Sequence, residues 1–140
     1  MNYRSASADY QHNELNNFFC RLKKIFAEMD RKYDEVAETY GFKCQGCEDN
    51  CCLTRFYHHT HLEYLYVRMG FVKLASSHQK AVQTRAAEVL GQAELAAESG
   101  LPVRQMCPLN QNGRCSIYPY RPMICRLHGI PHELHKPGHD

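Results

Sequence analysis

The sequence predicts a mainly α fold, a small helical domain with cysteine-rich loops organised around a metal centre. Three observations carry that expectation. Apolar residues recur at helical spacing from Leu15 to Tyr40. All six prolines fall at or after Pro102, so regular helix cannot run far through the last part of the chain. Seven of the eight cysteines gather in two blocks that bracket a cysteine-free, helix-prone region.

The first element is a helix over about residues 11–40. Its apolar positions, Leu15, Phe18, Phe19, Leu22, Ile25, Phe26, Met29, Tyr33 and Val36, alternate with Lys, Glu, Asp and Arg as a one-sided amphipathic helix requires. Gly41 supplies its stop. Cys20, alone beside Phe19, reads as a half-buried core side chain. The dense segment 44–52 turns at Gly46 and Asp49-Asn50, and residues 53–59 suggest a short extended piece. Thr60-His61-Leu62-Glu63 matches a capping box, so a helix starts there, with a break expected at Gly70. A further helix spans about 71–98 and ends at Gly100-Leu101-Pro102. Loops and short turns are expected beyond it. The domain division is one unit: the N-terminal helix 11–40, a metal-binding region 44–128 and a tail 129–140.

Composition narrows the function classes. A chain of 140 residues can bury a core without staples. Seventeen basic against fifteen acidic side chains give a net charge of +2, no strong signal for nucleic acid. Tyr118 and Tyr120 could stack bases, but their run is short and pinned by prolines. The polar start lacks the apolar stretch of a secretory signal, and no run approaches the roughly 20 apolar residues of a membrane span. The expected compartment is therefore the cytoplasm, where cysteines serve metals rather than disulfides.

The cysteine pattern is C-x2-C-x3-C-C (Cys44, Cys47, Cys51, Cys52), then C-x7-C-x9-C (Cys107, Cys115, Cys125). Two thiolates in C-x2-C can chelate one ion while the intervening amides point at sulfur, a spacing common to zinc and iron–sulfur sites. The blocks are 54 residues apart but can meet if the helices between them fold back. A tetrahedral zinc or a [4Fe–4S] cluster takes four ligands, so seven cysteines exceed one site. Between Ser99 and His132 stand Arg104, Arg114, Arg121 and Arg126 and no acidic residue. Near a four-thiolate centre such arginines, Arg121 and Arg126 above all, would offset negative charge and donate hydrogen bonds to sulfur. The alternative is a solvated basic loop.

These residues resemble a known family. Cys44-Gln45-Gly46-Cys47-Glu48-Asp49-Asn50-Cys51-Cys52 is similar to the signature of the CxxCxxxCC (YkgJ-like) family, a zinc- or iron-chelating domain. Cys107-Pro108-Leu109, Cys115-Ser116-Ile117-Tyr118 and Arg121-Pro122 with Cys125-Arg126 resemble its downstream pattern. The resemblance covers residues 44–128 and implies metal binding by the cysteines. Some relatives belong to flagellin lysine methylation proteins, but that activity does not carry over. The chain has no G-x-G-x-x-G, no P-loop and no C-x3-C-x2-C.

The remaining candidates read as structural. His58, His59 and His61 sit at a helix start, and Tyr64 and Tyr66 suit a core or interface. His128 is the better spare ligand, while His132, His135 and His139 belong to an exposed tail. The leading expectation is an iron–sulfur cluster, favoured over Zn by the number of thiols, with a redox or electron-transfer role and a redox or other protein partner. The alternatives are a structural zinc module for interaction or assembly, and a metal-handling protein. Whether the chain is an enzyme stays open.

Overall fold

Helix α1, Tyr3–Thr39, is the spine of the molecule. The computed structural model describes residues 3–43, 51–53, 58–100 and 104–129, with side chains from residue 13 onward. The inward stripe of α1 is Phe19, Leu22 and Phe26, which the i, i+3/i+4 rule places on one face. Against it packs Tyr66 of helix α2, His61–Val72. The Tyr66 ring lies 5.6 Å from Phe19, 5.8 Å from Phe26 and 5.0 Å from Tyr120, all at tilted angles that suit aromatic quadrupoles. Leu15, Met29, Leu62, Leu65, Met69 and Met123 close around this cluster. Cys20 is exposed, not half-buried: one residue along a helix turns it about 100° away from the Phe19 stripe.

α1 ends as a Schellman motif. Gly41, with φ of 64°, lets its N–H donate to the Glu38 carbonyl at 3.1 Å while the Phe42 N–H reaches Ala37 at 2.8 Å. Phe42 then packs edge-on against Tyr33, 6.3 Å between ring centres.

The break expected at Gly70 falls later. α2 runs through Gly70 to Val72, and the turn is Lys73–Ala75 before helix α3, Ser76–Glu98. Gly70 is there for space. A Cβ at that position would lie 2.6–2.8 Å from three Tyr120 atoms, so only glycine lets the ring lie flat on the helix. α3 buries little beyond Val82, and most of its surface faces solvent.

The last described segment is short pieces rather than uniform loop. Strands β1 (Asn110–Gln111) and β2 (Arg114–Cys115) form an antiparallel hairpin pairing Asn110 with Cys115 and Gln111 with Arg114. Asn112 and Gly113, with φ of 53° and 82°, make the two-residue turn that matches strand twist. A 3-10 turn, Tyr118–Tyr120, leads to helix α4, Met123–Leu127. Arg126 clamps this end to the spine. Its guanidinium lies 4.2 Å over the Phe26 ring, pairs with Asp30, and donates to the Pro119 and Arg121 carbonyls at 2.8 and 2.9 Å. The Tyr33 hydroxyl donates to the His128 carbonyl at 3.2 Å, a second tie between α1 and the end of α4.

Candidate metal centre

Cys107 and Cys115 are each placed by a local turn, and Cys125 by helix α4. In Cys107-Pro108-Leu109-Asn110 the chain turns back on itself, with the Asn110 N–H donating to the Cys107 carbonyl at 2.9 Å. The backbone N–H groups of Leu109 and Asn110 favour the charged form of the Cys107 thiol. The Ile117 N–H does the same for Cys115, and the buried Ile117 side chain anchors that turn. Ser116 fastens the two turns together, its N–H and hydroxyl both donating to the Leu109 carbonyl at 2.8 Å. N–H groups aimed at sulfur are what a metal-bound thiolate needs, since they spread its charge.

The first block meets the second directly. The Cys107 N–H donates to the Cys52 carbonyl at 2.7 Å, which joins residues 55 positions apart. Burial pushes the Cys125 thiol strongly upward, and Cys51, Cys107 and Cys115 are near enough to push it the same way. Burial and Cys52 likewise raise Cys107, and burial, Cys107 and Cys52 raise Cys115. The three thiols of the second block thus lie within electrostatic reach of one another, with Cys51 within reach of Cys125 and Cys52 within reach of Cys107 and Cys115. Cys44 and Cys47 fall outside the described residues. Among the described residues no three His, Cys, Asp or Glu side chains stand close enough to hold an ion by themselves. The donor set fits a thiophilic metal: soft sulfur ligands, half-buried, with N–H groups directed at two of them.

Two of the expected arginines part company. Arg121 favours the charged forms of Cys115 and Cys125, stacks 3.5 Å over Tyr118 and donates to the Tyr118 carbonyl at 3.1 Å. Arg126 donates to Asp30 and to the Pro119 and Arg121 carbonyls, which ties α4 to α1. Arg104 and Arg114 are exposed. An arginine outside the basic run joins the site instead. Arg85 of α3 favours the charged form of Cys107 and donates to the Pro108 carbonyl at 2.9 Å. Its place on a long helix gave no hint of that contact.

Among the histidines, His58, His59 and His61 are exposed, with His58 and His61 stacked on Tyr64 at 5.5 and 5.6 Å. His128 follows α4 and is half-buried. His132, His135 and His139 lie outside the described residues. The capping box of α2 is present as expected, but its Glu63 does more. One carboxylate oxygen accepts from the His59 and Thr60 N–H groups at 3.0 Å, and the other accepts from the Met123 N–H at 2.8 Å.

Residues 43–137 match the profile of CxxCxxCC, described as a candidate zinc- or iron-chelating domain. The chain belongs to this family. Its metal-chelating assignment agrees with the thiol cluster, and leaves zinc and iron equally open. No curated protein and no solved structure matches the chain. Among the described residues no helix is long and apolar enough to cross a membrane.

Proposed function

We propose that the protein is an iron–sulfur protein of the CxxCxxCC family, holding a [4Fe–4S] cluster between its two cysteine blocks. The observation that carries this reading is the approach of the two blocks, with Cys107 bonded to the Cys52 backbone and Arg121 beside Cys115 and Cys125, while Cys44 and Cys47 belong to the same first block in sequence. Four of these thiols would ligate one [4Fe–4S] cluster, and a basic side chain beside them suits its anionic charge. Cys44, Cys47, Cys51, Cys52, Cys107, Cys115 and Cys125 are the candidate ligands. Leu109, Asn110 and Ile117 offer N–H groups to sulfur, and Arg121 offsets anionic charge. Bound there, a cluster supplies one-electron transfer, so the partner class is a protein electron donor or acceptor in a reducing compartment such as the cytoplasm.

A structural zinc site is the second reading. The β1–β2 hairpin favours it, because Cys107 precedes β1 and Cys115 ends β2 of a short two-strand unit of the kind that small zinc modules use. Anaerobic purification followed by iron, sulfide and zinc analysis separates the two. About four irons and four sulfides per chain support the cluster. A colourless protein with stoichiometric zinc and no sulfide after the same handling sinks it. Single Cys→Ser changes then identify the ligands, and metal retained after joint loss of Cys107, Cys115 and Cys125 refutes a two-block site. For Arg121→Gln the expected result is a shifted reduction potential with metal retained. An unchanged potential removes Arg121 from the site.

A further inference from the structure

Glu63 is one of two charged side chains among the described residues that are buried, with 4% of its surface exposed, and an acceptor-only group in that position must be matched by donors. It is, from both halves of the molecule. Oε2 takes the His59 and Thr60 N–H groups at 3.0 Å and the Thr60 hydroxyl at 3.3 Å. Oε1 takes the Met123 N–H at 2.8 Å, across 60 residues of sequence. Met123 is the first residue of α4, whose N-cap is Pro122 and which has no side-chain cap of its own. Two residues further on is Cys125. On the other side, His59 and Thr60 lie shortly after the first cysteine block. One carboxylate therefore spans from the chain leaving one half of the centre to the helix carrying the last thiol of the other.

We propose that Glu63 is a positioning residue of the metal centre, holding α4, and with it Cys125, against the chain at His59 and Thr60. This rests on the metal-binding reading above. A capping box is served by Gln as well as by Glu, so capping α2 does not by itself call for a carboxylate. Accepting from two separate directions at once does. An amide has one acceptor oxygen and turns its NH2 toward the remaining N–H donors. With three donors on the His59–Thr60 side and one at Met123, the single oxygen of Glu63→Gln should stay with the three and lose the Met123 bond.

Two measurements test this, the first independent of any metal. In the reduced, metal-free protein each cysteine is alkylated with iodoacetamide and its rate read by peptide mass spectrometry. Glu63→Gln is expected to raise the rate at Cys125 roughly tenfold, the opening that follows loss of one charge-assisted hydrogen bond, with Cys107 changed less than about twofold. Thr60→Ala, which removes the cap but not the Met123 bond, should leave Cys125 as in the wild type. If Glu63→Gln fails to fold, Met123→Pro replaces it: proline is tolerated at a first helical position and deletes the N–H that Glu63 accepts. An unchanged Cys125 rate, or an equal rise at Cys107, overturns the proposal.

The second measurement is affinity for cobalt(II), by competition with a chromophoric chelator. Glu63→Gln should weaken it about 10–100-fold. That loss should vanish in a Cys125→Ser background and persist in a Cys115→Ser background, as a double-mutant cycle requires of residues acting through one another. Equal losses in both backgrounds reduce Glu63 to general stability and overturn the positioning role. A wild-type protein that takes up neither cobalt, zinc nor an iron–sulfur cluster refutes the metal reading, and the alkylation rates still decide on Glu63.

Discussion

The two ends of this molecule are held by different physics. At the α1–α2 end, Phe19, Leu22, Phe26 and Tyr66 make a buried, mainly aromatic cluster, and the i, i+3/i+4 spacing places the three α1 residues on one face. At the cysteine end, Ile117 is the buried apolar side chain among the described residues, and discrete ties add to it: Cys52 to Cys107, Ser116 to Leu109, Glu63 to Met123, Arg126 to Asp30 and Pro119. A region built from point contacts depends on each of them. A region built from packing shares its load. The cysteine end is thus where a bound metal would contribute most to order.

The largest effect expected is on the shared seam. Phe26 packs against Tyr66 and also lies beneath the Arg126 guanidinium, so it belongs to both ends. Phe26→Ala should cost about 3–5 kcal/mol in denaturant unfolding and loosen both ends together. If hydrogen exchange instead shows the cysteine end protected as before, the seam does not couple them. Arg126→Met comes next. It removes the partner of Asp30 and strands two carbonyls, at about 3 kcal/mol. Exchange protection should fall at residues 117–127 first, while the amides around Phe19 hold. Equal loss at both ends would erase the distinction between clamp and core.

Gly70→Ala tests the packed end with a smaller change. The added methyl meets Tyr120 at 2.6–2.8 Å. Overpacking of about 1–3 kcal/mol outweighs a gain of up to about 1 kcal/mol in helix propensity. The net is a lower melting temperature, with Lys73 released from the Tyr120 hydroxyl it now reaches at 2.7 Å. A melting temperature at or above the wild type's would show that the ring moves freely.

Legibility in the sequence followed the same divide. The stop at Gly41 and the capping box of α2 are local patterns and stand where their residues said they would, while the stripe of α1 is narrower than its spacing suggested: Phe19, Leu22 and Phe26 are buried but Phe18 and Ile25 are exposed. Gly70 misled because a glycine chosen for the space under Tyr120 looks, in one dimension, like a glycine that ends a helix. Asn112-Gly113 did carry a hairpin signal, hidden among prolines and cysteines that suggested loop. The meeting of the cysteine blocks followed from their number and spacing, but its details did not. Arg85 reaching Pro108 and Glu63 reaching Met123 are contacts over 23 and 60 residues between groups whose local roles were already filled. Arg126 shows the converse. It stood beside Cys125 in sequence, and the helical turn sent its side chain to Phe26 and Asp30 instead.

The gentlest perturbation is pH, and it separates the two ends by sign. Burial and neighbouring thiols raise Cys107, Cys115 and Cys125 above the ordinary thiol value. In the unfolded chain these groups ionise from about pH 8.5 upward. Between that value and the raised folded value the native state binds more protons than the unfolded one. Stability of the metal-free protein is then intact below about pH 8 and falls as pH rises above it. Metal reverses the sign. A ligand thiol gives up its proton on binding, so apparent affinity should climb with pH, by up to about tenfold per pH unit for each proton released. Calorimetry of zinc or cobalt binding in two buffers of different ionisation enthalpy counts those protons. Zero protons released at pH 7 would mean the thiols are already ionised, contrary to their burial. Several protons released, together with alkaline softening of the metal-free protein confined to residues 107–127, would place the pH response at the cysteine end and leave the aromatic core indifferent to it.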